Sequence, residues 1–275
     1  MLRKEQIIPM DKCMDNVLLK IGDEDIIDRS IFFDLEHYLY KKPICIGVFG
    51  AAVYDPESQA LVSTQYMIEN KKDAEEILYL AEDYFLRMKK EGKDNIVTFS
   101  GNNDFTVINH LFNKHEIDMT FDDLFRKVDL QKEYEKKFKK NIGLKNLERL
   151  FSIKREGEVI SGATLAKTFS RIMKDRDYIH RMPAEKVHKI LVYNEQDVVN
   201  LARIMNHWEA VDITDVLTLE GIILEEKMRR LEALQREEEL RQRLLENEEE
   251  LLKDMDTFDD MTDMHGKLNI DPLGQ

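Results

Sequence analysis

Asp34-Leu35-Glu36 follows directly on the apolar run Ile31-Phe32-Phe33. The run is short, β-branched and aromatic, as a buried strand is. Side chains on a strand alternate between faces, so Asp34 and Glu36 share one face while Leu35 takes the other. Two carboxylates side by side at the end of a buried strand repel each other. A divalent cation, which takes hard oxygen ligands, would offset that repulsion. A strand ending in a solvated polar turn would carry the same residues, so the pair alone leaves both readings open. A third acid, Asp104, lies just past the apolar Asn95-Ile96-Val97-Thr98-Phe99, at the mouth of a helix. Ligands in α/β sheets bind at such carboxyl ends of strands, although an ordinary helix cap would also sit there. In Leu191-Val192-Tyr193-Asn194-Glu195-Gln196-Asp197, helical geometry puts Tyr193 and Asp197 one turn apart on one face. The Tyr193 hydroxyl would then lie beside whatever Asp197 holds, or else a half-buried tyrosine flanks a solvated acid.

A fourth feature is charge. Between Arg126 and Arg155 eleven Lys or Arg residues face four acids, within a chain of formal net charge −14. Lys136, Lys137, Lys139, Lys140 and Lys145, interleaved with Tyr134, Phe138 and Phe151, suit a phosphate backbone. A solvated helix face has the same composition. The acidity of the whole chain argues against broad, non-specific nucleic-acid binding, though not against a local basic site.

The elements that would position these residues follow from periodicity. Three strands are expected first: the one ending in Asp34 and Glu36, then Ile44 to Tyr54, then Ala60 to Ile68. Turns at Lys41-Lys42-Pro43 and Asp55-Pro56-Glu57-Ser58 would join them into an antiparallel meander. Gly47 and Gly50 mark a bend or a close approach. The spacing of Ile77, Leu78, Leu80, Ala81, Tyr84, Phe85 and Met88 predicts a helix from about Lys72 to Lys90, stopped by Gly92. A fourth strand follows at 95–99, then a helix with Phe105, Ile108, Leu111 and Phe112 on its apolar face. Residues 121–130 fit either a strand or a helix. The rest is helical to about His207, with breaks near Gly143, Gly157 and Gly162 and with Pro183 at a first turn. Strands followed by helices, with one helix crossing between strands, define a mixed α/β fold. The organisation expected is an N-terminal extension at 1–29, a domain at 30–210, a long charged helix at 211–254 and a disordered acidic tail at 255–275. Leu217, Leu224, Leu231, Leu245 and Leu252 share a heptad position that Glu238 interrupts. The stretch 219–254 could therefore serve a protein partner or self-association.

Composition limits the chemistry further. Hydrophobic residues make up 43% of 275, enough for a sizeable core. Cys13 and Cys45 are the only cysteines and form no CxxC, which argues against a disulfide framework or a zinc site. The histidines do not pair at zinc-helix spacing. No P-loop, Gly-x-Ser-x-Gly or GxGxxG occurs. No window has the roughly 18 apolar residues of a spanning helix, and Met1 to Lys12 has no signal-peptide core. A cytoplasmic location without membrane association is expected.

Taken together, Asp34-Leu35-Glu36, Ser100-Gly101-Asn102-Asn103-Asp104 and Tyr193-Asn194-Glu195-Gln196-Asp197 resemble the Asp-Glu-Asp-Asp exonuclease pattern on a ribonuclease-H-like fold. The family they most resemble is the YprB-like ribonuclease-H-like domains, to which Ile142-Gly143-Leu144-Lys145-Asn146-Leu147-Glu148 is also similar. The likeness covers about Ser30 to His207. It implies that Asp34, Glu36, Asp104 and Asp197 bind two Mg²⁺ or Mn²⁺ ions, and that Tyr193 is the tyrosine four residues before the last Asp. The histidine-type variant would carry His where this chain has Val192. The second motif departs from the usual Asn-Gly-x-x-Phe-Asp. Ser100 stands for the Asn and Asp104-Phe105 reverses the final pair, so Asp104 is assigned as the only acid there.

The implied activity is 3′–5′ exonucleolytic hydrolysis of phosphodiesters in DNA or RNA, acting on a single strand or a 3′ end. Two divalent ions about 3.5–4 Å apart stabilise charge on both the attacking and the leaving oxygen. A tyrosine with an ordinary pKa near 10 would orient the water rather than deprotonate it. The competing expectation is a non-catalytic ribonuclease-H-like module that binds nucleic acid or protein through the C-terminal helix. The complete carboxylate set favours the enzyme; the unusual second motif and the overall acidity favour the module.

Overall fold

The computed structural model describes residues 1–157 and 160–265, with side chains in the last helix as far as 248. Its frame is a six-stranded mixed sheet. Strand β1 is Leu2–Pro9, and Lys20–Ile21 (β2) with Glu24–Asp25 (β3) forms a small separate hairpin. The expected meander is present as β4 (Ser30–Tyr40), β5 (Lys42–Asp55) and β6 (Ala60–Met67). Helix α1 (Asp73–Lys90) then crosses to β7 (Asn95–Thr98). The spatial order is β1-β6-β5-β4-β7-β8, where β8 is Arg126–Asp129. Pairing is antiparallel from β1 to β4 and parallel from β4 through β7 to β8.

Two parts of the sheet differ from the expectation. The stretch expected as an N-terminal extension contributes β1, which pairs along its full length with β6, from Leu2 opposite Met67 to Pro9 opposite Ala60. Its sequence hides this because an edge strand has little to bury: Arg3, Glu5 and Gln6 are all exposed. The ambiguous stretch after Thr120 is both elements in turn, a helical turn α3 (Phe121–Leu124) and then β8.

The helices cover both faces. After β7 come α2 (Asn102–Lys114), α3, and then α4 (Leu130–Phe138), α5 (Leu144–Leu150), α6 (Gly162–Lys174), α7 (Tyr178–Arg181) and α8 (Ala184–Asn206). On one face Phe33 and Phe49 meet Phe85 of α1 edge-on, with ring centroids 5.3 and 5.6 Å apart, and Phe85 meets Phe121 at 4.9 Å. Each buried ring contributes roughly 1.5–3 kcal/mol. This aromatic layer packs behind the Asp34–Glu36 stretch of β4, which continues four residues beyond Glu36 to Tyr40 rather than ending at the acids as expected.

Helix α9 spans Ile213–His265, and the chain from Leu217 onward forms a compact unit of its own. The helix continues past 254, so at least 255–265 are helical rather than the disordered tail expected from their acidity. The remainder of that expected tail lies outside the described residues. Leu217, Leu224, Leu231 and Leu245 are exposed.

Candidate metal centre

Strand β4 is central, and its two neighbours end at different heights. On the β7 side, Phe32 lies opposite Val97 and β7 stops at Thr98. Asp34 is therefore carried beyond the end of its parallel neighbour, into the opening where α2 begins. On the β5 side, Asp34 is opposite Gly50 and Glu36 opposite Val48. The alternation expected for the strand holds: Leu35 is buried, while Asp34 and Glu36 are half-buried on the other face. The third acid arrives on α8. Among the described residues, Asp34, Glu36 and Asp197 each offer a carboxylate oxygen, all within 4.8 Å of one another.

Asp104 sits in the first turn of α2, inside the helix rather than at its cap, which is Gly101. It is buried, and the backbone of Leu35, the residue between the two β4 acids, is near enough to oppose the rise in its pKa. It lies outside the 4.8 Å group, yet its charge raises the pKa values of both Asp34 and Glu36. The loop before α2 is held by Ser100, which adopts a left-handed backbone (φ 54°) and donates its N–H to Asp129 Oδ1 at 2.9 Å.

The electrostatics are those of a carboxylate cluster short of positive charge. Burial, then the charges of Asp197, Asp104 and Glu36, holds Asp34 well above the usual carboxylate range. Burial, then Asp197 and Asp104, pushes Glu36 up to about 8, against the pull of Arg155 and Lys145. Asp104 rises to about 7 and Asp197 to about 6, each mainly by burial, with Arg155 opposing the rise at Asp197. Burial and the charges of Asp197 and Glu36 keep the Tyr193 phenol above its ordinary value, so it remains a hydrogen-bond donor. A set of desolvated, purely oxygen donors suits Mg²⁺ or Mn²⁺; it lacks the nitrogen or sulfur that zinc prefers.

The five lysines expected on a phosphate backbone part company. Lys145 is exposed, lies 5.8 Å from the Tyr193 ring centre and lowers the pKa values of Glu36 and Asp197. Lys136 pairs with Glu133 at 2.5 Å and lines a cleft of about 450 Å³ with Lys127 and Lys132, beside α2. Lys139 ends α4 in the left-handed region, and Lys140 lies on the loop that follows. Lys137 points elsewhere. Its ammonium donates to the carbonyls of Trp208 and Val211 at 3.0 and 3.1 Å and pairs with Glu209 at 3.0 Å, so its charge serves the chain itself.

Several residues at the centre carry no motif signal of their own. Asn194, fully buried, donates Nδ2 to Asp34 Oδ2 at 3.1 Å, while its Oδ1 accepts from Gln65 Nε2 at 2.8 Å. Gly50 makes room for it, since a Cβ there would lie 2.2 Å from Asn194 Oδ1. Arg155 ion-pairs with Asp197 and with Glu148, and Asn200 of α8 also bonds Glu148 at 2.8 Å. The flags available in the sequence were the glycine in β5 and the basic run that contains Arg155.

The sheet order, the helices on both faces and the acidic cluster on the central strand just beyond the end of β7 define a ribonuclease-H-like α/β domain. A family model of the RNase H superfamily, RNase_H_2, matches residues 31–209, and the chain belongs to that superfamily. No curated protein and no solved structure matches it. Members of the superfamily are usually hydrolytic nucleases that use divalent metals, and the acidic cluster accords with that class. Among the described residues no helix is long and apolar enough to cross a membrane.

Proposed function

We infer that the chain is a metal-dependent nuclease, a 3′–5′ exonuclease of the tyrosine-type Asp-Glu-Asp-Asp class that acts on DNA or RNA. The observation that carries this reading is the convergence of Asp34, Glu36 and Asp197 oxygens within 4.8 Å on the central strand, beyond the end of its parallel neighbour. In this reading Asp34, Glu36, Asp104 and Asp197 hold two Mg²⁺ or Mn²⁺ ions. When bound, such ions stabilise negative charge on the attacking and leaving oxygens of phosphodiester hydrolysis. Tyr193, kept protonated by its surroundings, orients the attacking water rather than removing its proton. Lys145, exposed beside that ring, draws the phosphate chain toward the cluster.

The test uses purified protein with end-labelled single- and double-stranded DNA and RNA, each with Mg²⁺, Mn²⁺ or EDTA. Stepwise loss from the 3′ end, abolished by EDTA, is expected. Asp34→Ala and Asp197→Asn should remove at least about two orders of magnitude of rate while the circular dichroism spectrum stays native. Undiminished degradation by folded mutants would sink the assignment. Release from the 5′ end, or internal cuts, would overturn the polarity alone.

A further inference from the structure

Arg155 is held more elaborately than a counterion for Asp197 requires. Its side chain is 11% exposed and that of Glu148 2%. Nε donates to Glu148 Oε2 at 2.6 Å and Nη2 to Glu148 Oε1 at 2.7 Å, a side-on fork. Asn200 fixes the same Glu148, and the guanidinium lies 5.3 Å from the centre of the Tyr193 ring. Nη2 also donates to Asp197 Oδ1. Geometry then restricts the remaining donor. The Nη2 hydrogen engaged with Glu148 is the one beside Nε, so the bond to Asp197 uses the other, at the end of the fork. There it runs parallel to one N–H of Nη1. Nη1 is buried and has no hydrogen-bond partner among the described residues. An unused donor of an always-charged group therefore lies at the end of the fork, beside Asp197.

A buried donor of this kind calls for an acceptor. The other acids already surround a position suited to cations, so the missing partner is an oxygen that arrives with the substrate. Planar guanidinium groups suit phosphate oxygens well. We propose that Arg155 contacts the substrate, its Nη1 donating to a non-bridging oxygen of the phosphate that enters the cluster, with Glu148 as the positioning residue that aims the fork. The inference rests on the nuclease reading and adds to it an anion-binding group outside the carboxylate set. Arg155 neutralises Asp197 in the free protein and supplies the phosphate contact in the complex, so a single side chain couples metal site and substrate site.

The experiment compares the full-length protein with Arg155→Gln and Arg155→Lys. The Mn²⁺ affinity of each protein is measured by electron paramagnetic resonance of free Mn²⁺. The affinity for a nucleoside 5′-monophosphate is then measured by calorimetry in saturating Mn²⁺. Nucleotide binding should weaken about 10- to 100-fold in Arg155→Gln and at least about fivefold in Arg155→Lys, which keeps the charge but loses the fork. Mn²⁺ affinity should not fall in either variant, and in Arg155→Gln it should rise, because the cation paired with Asp197 is gone. Should Arg155→Gln fail to fold, Arg155→Lys decides, because its ammonium still faces Glu148. Unchanged nucleotide affinity in a folded variant overturns the proposal, as does a loss of Mn²⁺ affinity as large as the loss of nucleotide affinity. A wild type that takes up Mn²⁺ but no nucleotide overturns it too. A wild type that takes up neither defeats the nuclease reading itself, a distinct result.

Discussion

At the scale of single residues, the site depends on how Asp34 is oriented as much as on its presence. Asn194 reaches Asp34 because Gly50 lies opposite Asp34 and has no side chain to block it, and Gln65 holds Asn194 from the far side. Two substitutions separate these contributions. Asn194→Ala removes the donor and should lower activity about 10- to 100-fold, as the loss of a group that orients a metal-binding carboxylate does. Gly50→Ala places a methyl group where Asn194 Oδ1 now sits. It should cost roughly 1–3 kcal/mol in urea unfolding, in addition to a loss of rate. Full activity in either folded variant would show that Asp34 orients itself. The acids were legible in the sequence because the two-residue period of a strand puts Asp34 and Glu36 on one face without any tertiary information. Asn194 was not, because only the register of β4 against β5, and the seat of α8 across both, gives its amide a partner. Asp104 falls between these cases: its identity was readable, but its burial beneath the Leu35 backbone was not.

At the scale of elements, sequence patterns resolve what is amphipathic and miss what is not. The meander, α1 and α8 bury clear apolar faces and were readable. Edge strand β1 has no such face, and β8 is only Arg126–Asp129, too short for its period to register. The basic run shows the same limit. Read as composition, its lysines were equivalent; packing separates them. Lys137 pins the segment after α8 through Trp208, Glu209 and Val211, whereas Lys145 at the start of α5 faces the Tyr193 ring. Lys137→Ala should therefore lower the melting temperature by about 2–4 °C per kcal/mol lost and leave nucleic-acid binding intact. Lys145→Ala should do the reverse. Single-strand affinity should fall several-fold, and the slope of log affinity against log salt should become shallower by about 0.7. Fluorescence anisotropy across a salt series, beside thermal melts of both variants, checks the contrast. Equal effects on binding would return the basic run to a diffuse patch.

At the scale of the whole molecule, the carboxylate cluster is a site where folding works against charge. Glu36 with a pKa of about 8, Asp104 with about 7 and Asp197 with about 6 all lie above their ordinary values of 4.5, 3.8 and 3.8. Between those limits the folded state binds more protons than the unfolded chain does. Linkage then fixes the sign: the cluster's contribution to stability is fully present below about pH 4, where the carboxyls are protonated in both states, and is lost as pH rises toward 8. This is opposite to the behaviour of salt-bridged carboxylates, whose stabilisation is lost on acidification. Arg155 moderates the loss at Asp197, but it is shared with Glu148 and cannot neutralise the other three acids. A bound divalent cation must reverse the trend, because it favours ionised ligands and stabilises only the state in which they converge. Metal-free protein in EDTA should therefore melt at least about 5 °C lower at pH 8 than at pH 5.5. Saturating Mn²⁺ should remove most of that difference and change little at pH 5.5, where protons compete for the same oxygens. Asp34→Asn relieves the repulsion without metal, so it should raise the pH 8 melting temperature in EDTA while abolishing the Mn²⁺ response. A metal-free protein whose stability is flat from pH 5.5 to 8 would mean that the four carboxylates do not repel one another, and the case for a metal centre would lose its electrostatic basis.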